Sequence, residues 1–407
     1  MCLPRLACRS ECVFKFMELT MSNNSAFVLG GVPATNMNVR HRIQFTVGDA
    51  VFYISLPQQD GSFRSVLLVR DIEMGLARKH ARADEIGCAA DYEPQGGLSG
   101  DRDTALAQAG AECLRRNGID RVRTDGSLPM IFTAHLRDTG IEVEYDPQLA
   151  VLDRRTKSEE EVAYLRRAQS VTEEAMEFAC RTVCAATADA EGVLHDHETM
   201  LTSELMRQRI TSFLIGKNFS NHLDSIVVTV PHVADCHHHG TGPLQAGLPV
   251  IIDIFPRDNE TGYWGDCTRT AVNGEPSPEL VRMHAAVVTA KDEAIAALQV
   301  GTTGDAVHQA TIASITGSGY VMGLPPADAD DGFISMRHGT GHGIGLDVHE
   351  PILLSSGGGE IMANEVFTVE PGLYSARLGG VRVEDMVVVT TAGPKNLNCL
   401  PNHLDWR

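Results

Sequence analysis

Two aspartates stand at positions where a carboxylate is unusual. Asp253 lies inside the apolar run PVIIDIF (249–255), which predicts a strand, and Asp266 follows a turn at Gly262 and Tyr263. A carboxylate among isoleucines is costly to bury unless a positive charge compensates it. For Asp253 alone, the commoner alternative is an aspartate that ends a strand and caps a turn. The pair therefore indicates a cation site only if further ligands lie nearby.

A glycine-rich segment supplies the nitrogen donors. RHGTGHGIGLDVHEP (337–351) places His338, His342 and His349 among four glycines. Neutral imidazole is the commonest nitrogen ligand of transition metals in proteins. So many glycines suggest that the backbone closely approaches something at this point. An ordinary surface loop is the alternative.

Two glutamates complete the set. Glu370 lies in TVEPGLY and Glu384 in GVRVEDMVVV, although glutamate is a poor strand residue. A chance buried acid is the alternative for Glu370, and an ion-pair network with Arg382 and Asp385 is the alternative for Glu384. Taken together, four acids and one histidine suit two divalent cations bridged by carboxylates and water.

Composition limits the class of protein. Of 407 residues, 43% are apolar and 21% charged, which is typical of a globular chain. Asp and Glu outnumber Lys and Arg by 53 to 34, and the net charge of −19 excludes a nucleic-acid partner bound through a basic face. No run reaches the roughly 18 apolar residues of a membrane helix, so no membrane association is expected. The ten cysteines include no Cys-x-x-Cys pair, which favours reduced thiols and a cytoplasmic location.

The first part of the chain predicts an α/β domain. Residues 1–25 are expected to be a disordered leader, and residues 26–152 a domain of their own. Strands are predicted at 27–31, 50–56 and 65–70, and a helix at 103–118. No catalytic motif is evident in this half.

Residues 153–407 predict an α+β domain that must position the acids and histidines. Ser158 followed by Glu161 forms a capping box, which opens a long helix. Further helices are predicted at 197–216, 278–299 and 304–317. Strands are predicted at 225–230, 249–255, 365–371 and 380–390. The five candidate ligands fall in or beside these strands.

The order of these residues resembles a known family. Asp253, Asp266, His342, Glu370 and Glu384, with the motifs GHGIGLDVHE, VEPGLY and VRVED, are similar to the pita-bread metallopeptidases over residues 156–392. That family includes methionine aminopeptidase, Xaa-Pro aminopeptidase, prolidase and creatinase. The resemblance implies a pseudo-symmetric, curved antiparallel sheet flanked by helices, preceded by a creatinase-like α/β domain. The preceding domain favours the proline-specific branch, and the complete ligand set argues against creatinase.

The resemblance also implies the role of each ligand. Asp253 would bind one metal ion, Asp266 and Glu384 would bridge both, and His342 with Glu370 would complete the other site. Mn²⁺ is the expected metal because the donors are mostly oxygen, although Co²⁺ or Zn²⁺ would also fit. The two ions would lower the pKa of a shared water to give a bridging hydroxide, with Glu370 as the proton shuttle.

Four further residues are assigned to catalysis or substrate binding by the same resemblance. His349 would contact the substrate carbonyl, His338 would line the pocket, and Arg382 of VRVED would bind substrate. An upstream histidine of the family falls in Cys236-His237-His238-His239, where His237 fits best by spacing and His238 is the alternative. The implied partner is a peptide with proline at its second position, and a homodimer is expected.

The chain departs from the family between the two aspartates. Phe255 stands where the family usually has glycine, and the turn through residues 256–259 is longer than usual. The departure leaves two alternatives to an Xaa-Pro peptidase open. One is a lyase or non-peptide hydrolase on the same dinuclear site, and the other is a non-catalytic binding scaffold.

Overall fold

The structure, a computed structural model, describes residues 25–407. Of the predicted leader, residues 1–24 therefore lie outside the described residues. The described chain forms two compact units, one ending at Pro147 and one beginning at Gln148. Within residues 25–407, no helix is both long enough and apolar enough to cross a membrane.

The first unit is built on one mixed sheet. Its helices are α1 (Met37–Ile43), α2 (Met74–His80), α3 (Arg102–Arg116) and α4 (Met130–Asp138). Its strands are β1 (Phe27–Gly31), β2 (Val51–Pro57), β3 (Phe63–Leu68), β4 (Glu85–Gly87), β5 (Arg121–Thr124) and β6 (Glu142–Tyr145). The strand order is β4-β3-β2-β1-β5-β6, with antiparallel pairs β1–β2 and β2–β3 and parallel pairs elsewhere.

The predicted elements of this unit are confirmed to within a few residues. Helix α3 ends at Arg116, because Asn117 caps it and Gly118 takes a left-handed φ of 70°. Apolar side chains of the helix, such as Leu106 and Leu114, pack against Phe52 and other residues of the sheet. This packing forms the core of the unit.

The second unit contains the long helices. They are α5 (Val151–Arg155), α6 (Glu159–Ala185), α7 (Ser203–Gly216), α8 (Pro278–Ala297) and α9 (Gly304–Gly317). The predicted capping box opens α6: the Glu161 amide donates to Ser158 Oγ at 3.2 Å, and the Ser158 amide donates to the Glu161 carboxylate at 2.8 Å.

The predicted start of α7 at residue 197 is wrong. Residues 194–200 form a small hairpin whose turn holds His197 at a left-handed φ of 54°. The helix begins only after Thr202, whose hydroxyl accepts from the Leu205 amide at 3.1 Å. Local hydrogen bonding therefore overrode the helical pattern of the sequence.

Seventeen mostly short strands complete the second unit. They are β7 (Thr187–Ala188), β8 (Leu194–Asp196), β9 (Thr199–Met200), β10 (Phe219–Ser220), β11 (Ile226–Val228), β12 (Pro249–Ile254), β13 (Arg257–Asp258), β14 (Cys267–Val272), β15 (Val321–Met322), β16 (Ser335–Met336), β17 (Gly341–Gly343), β18 (Glu350–Leu354), β19 (Val366–Val369), β20 (Gly372–Ser375), β21 (Gly379–Arg382), β22 (Asp385–Thr390) and β23 (Gly393–Asn396).

Three of the resulting sheets carry the candidate ligands. Their strand orders are β11-β12-β14, β15-β16-β20-β21 and β18-β17-β19-β22-β23. The single strand predicted over residues 380–390 is wrong in one respect, because β21 and β22 belong to two different sheets. Glu384 lies at the corner between those strands, so its side chain is not part of either strand's regular alternation.

Helices cover the outer faces of these sheets. On β12, Val250, Ile252 and Ile254 pack in one cluster with α6 and α7, whereas Ile251 packs in another with Tyr374. Side chains alternate between the two faces of a strand, so Asp253 shares the face of Ile251. The pattern of the strand therefore turns one carboxylate away from the helices.

Candidate active site

The two aspartates are brought close by an antiparallel pair of strands. Asp253 lies near the end of β12 directly opposite Thr268 of β14, and Asp266 immediately precedes β14. Gln169 of α6 fixes the Asp266 backbone, since its side chain donates to the Asp266 carbonyl at 2.7 Å and accepts from the Asp266 amide at 2.9 Å. Asp253 thus lies inside the strand, and the alternative of a strand-ending cap does not describe it.

The glycine-rich segment packs tightly against the protein itself. A Cβ added at Gly341 would lie 1.9 Å from the Thr368 carbonyl oxygen, and one added at Gly345 would lie 2.7 Å from the Glu350 carboxylate. The close approach predicted from the glycines is therefore present, and it is made by the neighbouring strand and a buried acid. These contacts allow β17 to carry His342 into the interior.

His342 presents one ring nitrogen to the acids. Its Nδ1 lies 3.0 Å from the Gly343 carbonyl, which fixes Nδ1 as the protonated nitrogen and leaves the Nε2 lone pair free to bind a cation. Nε2 lies 3.6 Å from Glu370 Oε1 and 3.9 Å from Asp266 Oδ2. The orientation is that of a metal ligand.

The glutamates approach from two further directions. Glu370 directly follows β19, and the Glu384 carboxylate accepts from the Thr268 hydroxyl at 2.7 Å. The alternative, in which Glu384 belongs to an ion-pair network with Arg382 and Asp385, does not agree with the structure. Arg382 donates to Asp253 at 2.6 Å, and Asp385 is turned to the other side of the strand.

Burial dominates the electrostatics of this cluster. Donor atoms of Asp266, His342 and Glu384 all lie within 4.8 Å of one another, and all three residues are buried. Burial and the neighbouring carboxylates raise the pKa of Asp266 and of Glu384 well above their usual values, and burial raises the pKa of Glu370 to about 7. Burial lowers the pKa of His342 to about 3, which keeps its imidazole neutral.

These residues fit a divalent metal centre. Asp253 Oδ1 is buried and, among residues 25–407, has no hydrogen-bond partner, while Oδ2 of the same carboxylate accepts from Arg382. An unpaired buried carboxylate oxygen is costly unless a cation binds it. Four carboxylates and one imidazole are also a donor set that divalent cations prefer.

A cavity of about 650 Å³ opens onto the cluster. Its lining includes the predicted residues His237, His338, His349 and Arg382, whereas His238 stacks on His232 with a ring separation of 4.4 Å. His349 contacts His342 edge to face at 4.3 Å. The structure therefore places the four predicted substrate or catalytic residues around one pocket beside the carboxylates.

Tyr374 is a pocket-side residue that sequence reasoning missed. Its hydroxyl lies 2.7 Å from His338 Nε2 and accepts from Arg382 at 3.1 Å. His338 Nδ1 lies 2.8 Å from the Gly339 carbonyl, so Nε2 is the acceptor and the tyrosine donates to it. The signal was present, because Tyr374 is the last residue of VEPGLY. Thr268, which holds Glu384, was missed as well, although it stands two residues after Asp266.

The longer turn between the aspartates forms structure of its own. Its residues Arg257 and Asp258 form β13, which pairs with β10. Trp264 is buried and donates from its indole to the Leu346 carbonyl at 2.9 Å, and Cys267 is a fully buried core residue. Phe255 lines the cavity. The departure from the family therefore reaches the pocket through Phe255.

Solved peptidase structures are similar to this chain along most of its length. The Xaa-Pro dipeptidase from Bacillus anthracis has a TM-score of 0.75 at 22% identity, covering 93% of this chain and 94% of that one. The X-Pro aminopeptidase from Thermotoga maritima has a TM-score of 0.73 at 20% identity, covering 93% and 96%. The predicted α+β pita-bread class is confirmed by these neighbours.

Curated relatives match a shorter segment. A probable dipeptidase PepE of Mycobacterium tuberculosis is 31% identical over 197 residues, 48% of this chain and 49% of that protein. An Xaa-Pro dipeptidase of Pyrococcus furiosus is 34% identical over 155 residues, 38% of this chain and 40% of that protein. The chain thus spans about half the length, or less, of these curated relatives.

A family profile covers more of the chain than either relative. Residues 163–391, more than half of the sequence, match Metallopeptidase family M24, and this segment contains all five predicted ligands. The resemblance drawn from the three motifs is confirmed, and the chain belongs to metallopeptidase family M24.

Proposed function

We propose that this protein is a dinuclear metal-dependent peptidase that hydrolyses the Xaa-Pro bond at the N-terminus of peptides or in dipeptides. The observation that carries the proposal is the buried cluster of carboxylates and His342 at the base of an open cavity. Relatives named as Xaa-Pro peptidases support the proline specificity.

The five predicted ligands would hold two divalent cations. Asp253 would bind one ion through Oδ1, Asp266 and Glu384 would bridge both, and His342 with Glu370 would complete the second site. When bound, the cations supply Lewis acidity and a water of lowered pKa. Mn²⁺ is the proposed metal because the donors are mostly oxygen.

Residues of the chain would position the peptide and move protons. His349, at the cavity wall beside His342, would donate to the oxygen of the scissile carbonyl as negative charge develops on it. The Glu370 carboxylate would take a proton from water and return it to the proline nitrogen. Arg382 and Tyr374 hold the imidazole of His338 in one tautomer at the wall, where it can accept from Tyr374 and contact substrate.

Further points belong to the same proposal. His237, exposed at the rim of the cavity, would contact the substrate on entry. Residues 26–152 would form a creatinase-like domain and residues 153–407 the catalytic domain. The protein would form a homodimer. It would be located in the reducing cytoplasm, because its ten cysteines include no Cys-x-x-Cys pair.

The test combines metal analysis with a matched substrate pair. Mn²⁺-loaded protein is expected to hydrolyse Ala-Pro and Ala-Pro-Ala faster than Ala-Ala and Ala-Ala-Ala. Asp266→Ala should lose both bound metal and activity, whereas Asp405→Ala, an exposed acid at the C-terminus, should retain both. Inactivity of the fully loaded protein on every peptide would overturn the proposal and favour a lyase, a non-peptide hydrolase or a binding scaffold.

A further inference from the structure

A second cavity adjoins the candidate active site. It has a volume of about 470 Å³ and is lined by residues 349–359, apart from Leu354. His349, Leu353 and Ser355 line both this cavity and the larger one that contains the acids. We call the second cavity the exit groove. The two cavities therefore lie next to each other and share part of their lining.

We propose that the exit groove binds the residues that follow proline, so that the substrates are peptides of three or more residues and free dipeptides are poor substrates. The inference rests on the proposed Xaa-Pro activity and assigns its substrate class.

The position of His349 sets the direction of the peptide. This residue is assigned to the scissile carbonyl, and it stands at the boundary between the two cavities. The chain on the amino side of the bond lies with the acids, so the chain on the carboxyl side leaves toward Leu353 and Ser355. An extended peptide advances about 3.3–3.6 Å per residue, so in this direction the residues beyond proline would extend into the exit groove.

The groove is preformed and suits an extended chain. It follows β18, which is one of the two edge strands of the five-stranded sheet, and edge strands are a common docking place for extended peptides. The loop beyond the strand is fixed in place, since the Gly357 amide donates to Asp305 at 2.9 Å and the Gly358 amide donates to the Ser355 carbonyl at 2.9 Å. Binding would therefore require little ordering of the protein.

Charge argues against a free dipeptide. The carboxylate of a dipeptide lies one residue beyond the scissile bond and needs a cation or several donors when it leaves water. Among residues 25–407, the only lysine or arginine that lines either cavity is Arg382. Arg382 as a residue is 3% exposed, and its guanidinium already donates to Asp253 and Tyr374.

Among residues 25–407, the lining of the groove adds no available cation, and its single acid is already paired. Glu350 lines it, and the Glu350 carboxylate is the partner of the buried Lys157 at 2.8 Å and also of Arg154. A peptide longer than two residues places a neutral amide at this point and carries its carboxylate farther toward solvent. The lining therefore discriminates by charge as well as by length.

The test compares four substrates with the Mn²⁺-loaded full chain: Ala-Pro, Ala-Pro-amide, Ala-Pro-Ala and Ala-Pro-Ala-Ala. The kcat/KM of the tetrapeptide should exceed that of Ala-Pro by about tenfold to a hundredfold, the effect of one unmatched charge. Amidation of the dipeptide should recover part of the difference. Equal or faster hydrolysis of Ala-Pro would overturn the inference while leaving the proposed function intact, whereas hydrolysis of none of the four would overturn the proposed function itself.

A variant tests the charge argument directly. Leu353→Arg adds a cation at an exposed position, 53% accessible, that lines both cavities, and it should raise the kcat/KM of Ala-Pro relative to the tetrapeptide. Leu353→Gln changes the side chain without the charge, and Leu324→Arg makes the same charge change at a residue, 77% exposed, that lines neither cavity. Leu324→Arg should leave the ratio unchanged, and Leu353→Gln should not raise it toward Ala-Pro. An unchanged ratio in Leu353→Arg would contradict the role of charge.

Discussion

Asp385→Asn should strongly destabilise the second unit, although Asp385 contacts no candidate ligand with its side chain. Asp385 accepts from Arg269 at 2.8 Å, from Lys291 at 2.5 Å and from Asn396 at 2.8 Å. Arg269 is 1% exposed and Lys291 is 2% exposed. The substitution keeps the shape of the side chain but leaves two buried cations without their shared anion.

The expected loss in free energy of unfolding depends on the partners that Arg269 and Lys291 each retain in the variant. The Arg269 guanidinium still donates to the carbonyl oxygens of Thr268 and Glu384, so it stays partly compensated. Among the described residues, Lys291 keeps a 3.3 Å contact with Asn402 and a 3.9 Å contact with the exposed Asp292. Breaking a buried pair costs 3–5 kcal/mol, and we expect about 3 kcal/mol here.

Thermal unfolding followed by calorimetry measures this loss. About 3 kcal/mol corresponds to a fall of roughly 6–12 °C in the Tm of a unit of this size. Burial opposes ionisation of Asp385, but Arg269 and Lys291 together hold its pKa below the usual value. A carboxyl group whose pKa is lower in the folded protein than in the unfolded chain stabilises the fold at pH values above its unfolded pKa. The Tm difference between wild type and Asp385→Asn should therefore be full at pH 7 and shrink below about pH 4.

Two further variants decide whether the unpaired cation is the cause. Adding Lys291→Met to Asp385→Asn removes the stranded ammonium and should recover part of the loss, with a coupling of about 1–3 kcal/mol. Asp405→Asn removes an exposed acid whose partner is Arg407 and should leave the Tm unchanged. A Tm for Asp385→Asn close to that of wild type at pH 7 would refute the reasoning.

Three further outcomes are expected. Gly341→Ala should lower the free energy of unfolding by about 1–3 kcal/mol and weaken metal binding, because the added Cβ would meet the Thr368 carbonyl. The control Gly317→Ala adds its Cβ in open space and should change neither quantity in the same unfolding and metal-titration experiments. Burial raises the pKa of Glu370 from 4.5 to about 7 in the fold, so the stability that this residue contributes to the metal-free protein is lost as pH rises through about 7. The Tm of wild type should therefore fall relative to that of Glu370→Gln between about pH 5 and about pH 8, and a Tm difference that stays constant would contradict this. His349→Ala should lower kcat by about a hundredfold to a thousandfold with metal content unchanged, and loss of metal in that variant would make it a structural residue.

Local sequence signals predicted much of the fold because they act over a few residues. The Ser158–Glu161 capping box places the start of α6, and the apolar alternation of β12 turns Asp253 away from the helices. The same local signals failed where contacts between distant parts of the sequence determine the structure. Residues 380–390 read as one strand, yet they divide at Glu384, because β21 and β22 pair with strands of different sheets.

The acids and histidines of the candidate site could be identified from the sequence, and the residues that support them could not. Acids inside apolar runs are rare enough to be noticed one at a time, and their common order identified the family. The supporting residues belong to common types, and their role depends on which side chain lies about 3 Å away in the fold. No spacing in the sequence predicts such a contact for Thr268, Gln169 or Tyr374. The reason for the glycines at 341 and 345 was also hidden, since their neighbours are Thr368 and Glu350.

The supports explain why the cluster of acids should bind cations strongly. Thr268 and Gln169 hold Glu384 and Asp266 through neutral groups, which fix the geometry without compensating the charge. Arg382 is an exception, and it donates to Oδ2 of Asp253, while Oδ1 has no hydrogen-bond partner in the described part of the chain. If lysines or arginines held every ligand, the cluster would be neutral and its affinity for metal would fall. Buried cations such as Arg269 and Lys291 instead pair with Asp385, outside the cluster of acids. The negative charge of the candidate ligands is therefore left largely uncompensated, which favours cation binding.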